Sequence, residues 1–177
     1  MSSTNGLETA ARRGDEHSFT ALLELHDETM RRLAFRLLGS AASMDDALQD
    51  AYLKAFRNIG RFEGRSAFGT WLYRIVYRTC VDHLRARQRH THLALGEAPV
   101  LSSPDPTDAA LDVHHAIHLL AQLPIDLRAV VVLVDGEGMS YADASAVLDV
   151  PEGTVASRLH RAHRDLRRIA DTEGGLR

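Results

Sequence analysis

The sequence predicts an all-α protein: two small helical domains joined by a flexible linker. Three observations carry this. Apolar residues recur at helical spacing in each structured segment. They are mostly Ala, Leu and Val, and aromatics make up only 6% of the chain, a composition that favours helices over a β-sandwich. Near the middle the rhythm lapses into "HTHLALGEAPVLSSPDPTD", with three prolines, serines and acidic residues but no sustained period, which reads as an extended tether. The expected boundaries are a first domain over 1–88, a linker over 89–108 and a second domain over 109–177.

The first helical rhythm runs through Phe19, Leu22, Leu23, Met30, Leu33, Ala34, Leu37 and Leu38 and stops at Gly39. A second runs from Met44 to Ile59 and ends at Gly60, with Ser43 as its expected cap and Asp45 and Asp46 complementing the dipole. The looser "RFEGRSAFGT" leads into a third helix over about Trp71 to Gln88. Beyond the linker, Pro124 separates two helices. Ser140 with Asp143 then gives a capping-box-like start to another, whose core face is Ala144, Val147 and Leu148. "DVPEG" breaks it, and Thr154 is placed to cap the last helix.

Several function classes are excluded early. A single cysteine, Cys80, rules out an intrachain disulfide and a Cys-based zinc site. Its place in an apolar row makes a buried, inert thiol the expectation. The N-terminus lacks a signal-peptide core, and the longest apolar run, "AVVVLV" over Ala129–Val134, is too short to span a bilayer. A cytoplasmic protein without membrane insertion is expected. No phosphate loop, nucleophile elbow or zincin motif is present. His114 and His118 share a face at metal-ligand spacing beside His115, with His83, His90 and His92 elsewhere. No third ligand or catalytic carboxylate accompanies them, so neither a metal nor a cofactor is expected.

The charge distribution is more telling. The chain carries −3 overall, yet "VPEGTVASRLHRAHRDLRR" is strongly basic. Val155, Leu159, Ala162, Leu166 and Ile169 fall on one face of this helix. At about 100° per residue, Ser157, His160, Arg161, Arg164 and Arg168 point the other way, with Arg158 and Arg167 on the flanks. A capped helix, a tight turn and a second helix with a basic outer face describe a helix-turn-helix. Arginine there serves both as a phosphate contact and as a bidentate reader of guanine. A solvated terminal helix is the plainer alternative.

The first domain offers two further surfaces. Asp46, Gln49, Asp50, Leu53 and Arg57 lie opposite the core stripe of the second helix. They form either a small protein-docking patch or an ordinary surface with one exposed leucine. On the third helix Leu72, Ile75, Val76, Thr79 and Cys80 face inward, while Arg74, Arg78 and Arg85 line the opposite side beside Tyr77. Such a stripe suits single-stranded nucleic acid. Phe62, Phe68 and Trp71 offer either a pocket for an unstacked base or part of the core.

Taken in order, these motifs resemble the extracytoplasmic-function group of bacterial sigma factors. "DDALQDAYLKAF" is similar to that family's region 2.2, "RFEGRSAFGTWLYRIVYRTCVDHLRAR" to regions 2.3 and 2.4, and "GMSYADASAVLDVPEGTVASRLHRAHRDL" to region 4.2. The resemblance covers about His17 to Ile169. It implies a non-enzymatic factor that recruits core RNA polymerase to promoters. Asp46, Gln49, Asp50, Leu53 and Arg57 would bind the clamp helices of the largest subunit. Phe62, Phe68, Trp71, Arg74, Tyr77, Arg78 and Arg85 would meet the −10 element. Thr154, Ser157, Arg158, His160, Arg161 and Arg164 would read the −35 element. An anti-sigma partner is implied as well. The family usually carries Asn at the position of Arg78 and often Arg at that of His163. An operator-binding regulator and a His-dependent metalloenzyme are the competing readings.

Overall fold

The computed structural model describes residues 2–93 and 108–174, with side chains over 4–89 and 113–173. The N-terminal bundle contains α1 (Ser2–Arg12), α2 (Glu16–Glu24), α3 (Asp27–Leu38), α4 (Ala41–Asn58) and α5 (Phe68–Leu93), with a 3₁₀ turn at Ile59–Arg61. The C-terminal bundle contains α6 (Asp108–Ala121), α7 (Ile125–Val131), a π-turn at Val132–Gly136, α8 (Tyr141–Leu148) and α9 (Glu152–Gly174). Among the described residues there is no strand. Of the expected linker over 89–108, residues 94–107 fall outside them; α5 continues five residues into it, to Leu93, and α6 begins at its last residue, Asp108.

Local sequence accounts for each boundary, and several expectations are corrected. The rhythm from Phe19 to Leu38 is two helices. Leu25 closes α2, His26 opens α3, and Asp27 and Glu28 supply the acidic first turn that a new helix N-terminus favours. Periodicity alone passed over this break because Leu22 and Met30, eight residues apart, face the same core. Gly39 ends α3 with φ 72°, the left-handed conformation that glycine adopts without a Cβ clash. Ser40, and not Ser43, caps α4, its hydroxyl accepting from the Ser43 N–H at 3.4 Å. At the far end, Ser140 caps α8 as expected, accepting from the Asp143 N–H at 3.1 Å. Thr154 is not a cap: α9 begins at Glu152, and the Pro151 carbonyl accepts from Thr154 and Val155. The helix α1 has no counterpart in the sequence reading.

The core of the N-terminal bundle is built from Leu22, Met30, Leu33, Leu37, Ala47, Ala51, Ala55, Leu72 and Val76, all exposed by 0%. Alanines on α4 let that helix lie close to α5. Leu127, Val130, Leu133, Val147, Val155 and Ala162 fill the C-terminal bundle, and the buried residues of both bundles belong to one continuous apolar cluster. Arg128 crosses the seam. Its Nη1 donates to the Leu37 carbonyl on α3, and its Nη2 donates to the carbonyls of Ala121 and Leu123 at 2.7 and 3.2 Å. Burial works against its charge and lowers its pKa from the ordinary arginine value.

These faces make a paired prediction for thermal or urea unfolding. Leu72→Ala empties a fully buried site and is expected to cost about 2–5 kcal/mol. Leu53→Ala, on the outer face of α4, is expected to stay within about 0.5 kcal/mol of the parent.

Candidate nucleic-acid and protein-docking interfaces

The expected docking face of α4 is solvent-exposed. Asp46, Gln49, Asp50 and Arg57 are all on the surface, and Leu53 is 47% exposed with Phe56 beside it at 38%. The Phe56 ring rests against Phe19 at a centroid distance of 5.2 Å. Lys54 reaches the Thr79 hydroxyl at 3.2 Å, and Asp50 pairs with His83 Nε2 at 2.9 Å. This outer face of α4 is thus braced directly on α5.

The aromatic trio before α5 divides in two. Phe62 and Phe68 are 3% and 2% exposed, so they are core residues and not an open stacking platform. Trp71 alone of the three reaches solvent, with its ring centroid 5.2 Å from Phe62 and 5.5 Å from Phe68. The physical reason is packing. "RFEGRSAFGT" has no other large apolar groups with which to seal the end of the bundle, so the two phenylalanines turn inward. Phe68 also meets the ring of His26, which is brought close because residue 69 is glycine. A Cβ at Gly69 would stand 2.9 Å from His26 Cε1.

Arg74, Tyr77, Arg78 and Arg85 share the outward side of α5, as expected, but two of them already have partners in the C-terminal bundle. Arg74 donates from Nε and Nη2 to the Ala146 carbonyl at 3.0 and 2.6 Å, and Arg78 pairs with Asp149 at 3.2 Å. Tyr77 is half-buried near Asp126 and Arg158, and burial raises its pKa. On the inward side Leu72, Val76, Thr79 and Cys80 are buried, and Ile75 is half-buried against the core.

On α9 the basic face is largely free of the core. Arg161 and Arg164 expose 63% and 66% of their side chains and meet only Asp165 of their own helix, at 3.7 and 3.8 Å. Ser157 and His160 are exposed beside them, and Thr154 is half-buried. Arg158 departs from this pattern. It turns toward α7, 3.6 Å from Asp126, with 29% of its side chain exposed. The side chain of His163 stays 41% exposed, its Nε2 2.6 Å from Asp135 of the preceding π-turn.

No group of three or more His, Cys, Asp or Glu side chains among the described residues is arranged to hold a metal. His118 contacts Glu173 at 3.3 Å, while the side chains of His90 and His92 lie outside the described residues. No helix of the described residues is long and apolar enough to cross a membrane. Sequence reasoning missed Glu137, Arg32, Arg36 and Arg128. A cation inside the apolar run "IDLRAVVVLV" was the one signal available for Arg128.

Two helical bundles, the second ending in a helix-turn-helix with a basic outer face, are the architecture of a DNA-reading transcription factor. The comparisons name the kind. The sigma-70 region 2 family matches residues 22–90, and sigma-70 region 4 matches residues 116–166. The ECF RNA polymerase sigma factor SigM of Mycobacterium tuberculosis is 40% identical over 157 residues, covering 88% of this chain and 79% of that protein. The ECF sigma-E factor of Escherichia coli is 31% identical, covering 85% of each. A structure of CnrH in complex with the cytosolic domain of CnrY matches with TM-score 0.73 and 25% identity, over 94% of this chain and 96% of that one. The sigma factor RpoE of Bartonella quintana, solved with the anti-sigma factor NepR, matches with TM-score 0.74 and 27% identity, over 86% and 96%. The chain belongs to the extracytoplasmic-function sigma factors of the sigma-70 family, alternative sigma factors that direct promoter recognition and transcription initiation.

Burial pushes the Cys80 thiol up to about 12, which leaves almost no thiolate at neutral pH. A thiol reagent at pH 7.5 is therefore expected to leave the native protein unmodified and to titrate one thiol after denaturation. Rapid labelling of the native chain would show that α5 opens locally.

Proposed function

We propose that this chain works as a two-point adaptor between core RNA polymerase and the promoter. Residues 1–88 serve as the polymerase- and −10-binding unit, 89–108 as the tether and 109–177 as the −35-binding unit. The outer face of α4 (Asp46, Gln49, Asp50, Leu53 and Arg57) docks on the clamp helices of the largest subunit. Trp71, Arg74, Tyr77, Arg78 and Arg85 meet the −10 strand, with Phe62 and Phe68 as the buried support that fixes Trp71. Arg78, which stands where the family usually has Asn, sets the −10 preference of this factor. Thr154, Ser157, His160, Arg161 and Arg164 face the −35 element, and Arg158 joins them on leaving Asp126.

The observation that carries this reading is the exposed pair Arg161 and Arg164 on a helix whose opposite face is locked into the core. A groove-entering helix needs that combination: rigid placement on one side and unburied cations on the other. Promoter opening then draws on binding energy alone, so the chain needs no enzymatic activity and no cofactor. It acts in the cytoplasm on nucleoid DNA. The solved relatives held by NepR and CnrY support a further partner, an anti-sigma protein.

Run-off transcription with purified core polymerase and fragments of the native genome tests the reading. Discrete transcripts that depend on this protein are expected, and DNA binding without transcripts would favour an operator-binding regulator. Leu53→Asp should abolish co-elution with core polymerase while the far-ultraviolet circular dichroism spectrum stays unchanged. Arg161→Ala and Arg164→Ala should each weaken −35 binding by about 1–3 kcal/mol if they read bases. If they contact phosphate, the salt slope should fall by about one instead.

A further inference from the structure

Glu137 belongs to none of the surfaces above, yet its side chain is only 4% exposed. It follows the π-turn, a rare local geometry that often marks functional positions. That turn carries its carboxylate across the seam between the bundles. Arg36 Nη1 lies 2.7 Å away, and Arg32 Nη2 and the Tyr73 hydroxyl lie at 3.5 Å. Burial and the nearby carboxylate push the Tyr73 phenol up to about 12, so it remains a donor. Gly136 makes the approach possible, since a Cβ there would stand 2.8 Å from Arg36 Nη1.

A second set of contacts closes the same seam. The last turn of α8 leaves carbonyls without helical partners, and its C-terminal end carries partial negative charge. Arg74 binds one of these carbonyls, at Ala146, and Arg78 binds Asp149, which ends α8 in the left-handed conformation with φ 58°. The end of α8 thus offers these two arginines a carbonyl and a carboxylate, the same kind of oxygen acceptor as a phosphate.

We propose that the free protein is self-masked. Glu137 is a polar latch added to a seam that apolar packing and Arg128 also close, and α8 occupies the arginines that otherwise meet the −10 strand. The masking rests on the assignment of Arg74 and Arg78 made under Proposed function; the latch does not. The closed arrangement needs no second protein, because every contact in it comes from this chain. It is also reversible. Desolvation offsets much of the attraction in a buried ion pair, and opening returns all its members to water. Polymerase binding can therefore supply the free energy of opening. Neutralising Glu137 acts on one state only. It leaves Arg36 without a counter-charge in the closed form, while Arg32 keeps Glu28 at 2.8 Å, and it costs nothing in the open form, so the population moves to open.

Energy transfer between dyes on Thr20→Cys and Ala170→Cys in the free full-length chain tests this. Both positions are exposed, and the buried Cys80 stays unlabelled. A closed, high-transfer population is expected in the parent. Glu137→Gln should lower the closed-to-open ratio about tenfold, and Gly136→Ala, which displaces Arg36, should shift it in the same direction. Unlabelled Glu137→Gln should in turn bind core polymerase more tightly. An extended parent, or a Glu137→Gln chain as closed as the parent, overturns the latch. Transcription by assembled holoenzyme carrying Arg74→Ala reads the other assignment separately. If Arg74→Ala leaves transcription intact while the latch responds as expected, the −10 role falls and the masking falls with it. If transcription depends on Arg74 but the latch variants do not respond, the latch alone falls.

Discussion

One buried cation orders this molecule. The Arg128 guanidinium lies where the C-terminal ends of α3 and α6 converge, and it donates to carbonyls of both. Each end would otherwise bring unpaired carbonyls and partial negative charge into an apolar seam. A single side chain with five donors in a fixed fork answers both at once. Among the described residues, Nε of Arg128 is the only buried side-chain polar atom without a partner. The fit is therefore complete at the carbonyls and incomplete only on the guanidinium itself. The apolar packing of α7 against α3 and α9 is arranged around this contact.

Charge is used differently in the two halves of the surface. On α9 Arg161 and Arg164 stand in water and meet only an intrahelical aspartate, an exposed pairing worth under about 1 kcal/mol. Such groups give up their partner easily. At the seam, Arg36 and Glu137 are mostly shielded from solvent, so their geometry is specific and their separation is a discrete event. The same residue type thus serves as an open contact in one place and as part of a closure in another. Burial makes the difference.

Much of this was legible in the sequence. Helical class, the break at Pro124, the Ser140 cap and the two faces of α9 all follow from periodicity and capping chemistry, because these are local rules. The faces of α4 and α5 were readable for the same reason, down to Thr79 and Cys80 on the buried side. What escaped was non-local. The α2–α3 break hides where two helices share one core face. Phe62 and Phe68 turned inward because a loop end needed sealing, a demand that no single-helix pattern expresses. Glu137 in "DGEG" looks like any loop carboxylate until a π-turn carries it 101 residues back along the chain to Arg36. That Arg74 and Arg78 face outward was correct, and what they meet there depends on the second bundle.

The helix α5 has 26 residues without interruption, from Phe68 to Leu93, a rod of about 39 Å at 1.5 Å per residue. It carries Trp71 near one end, the arginine stripe along its middle and the chain's exit from the first bundle at the other. A rod of this kind works as a ruler. The position at which the chain leaves the first bundle is fixed relative to the part-exposed Trp71, and any tilt imposed there is magnified at the far end. Whatever engages the first few turns of α5 therefore also sets where, and in which direction, the chain leaves the first bundle.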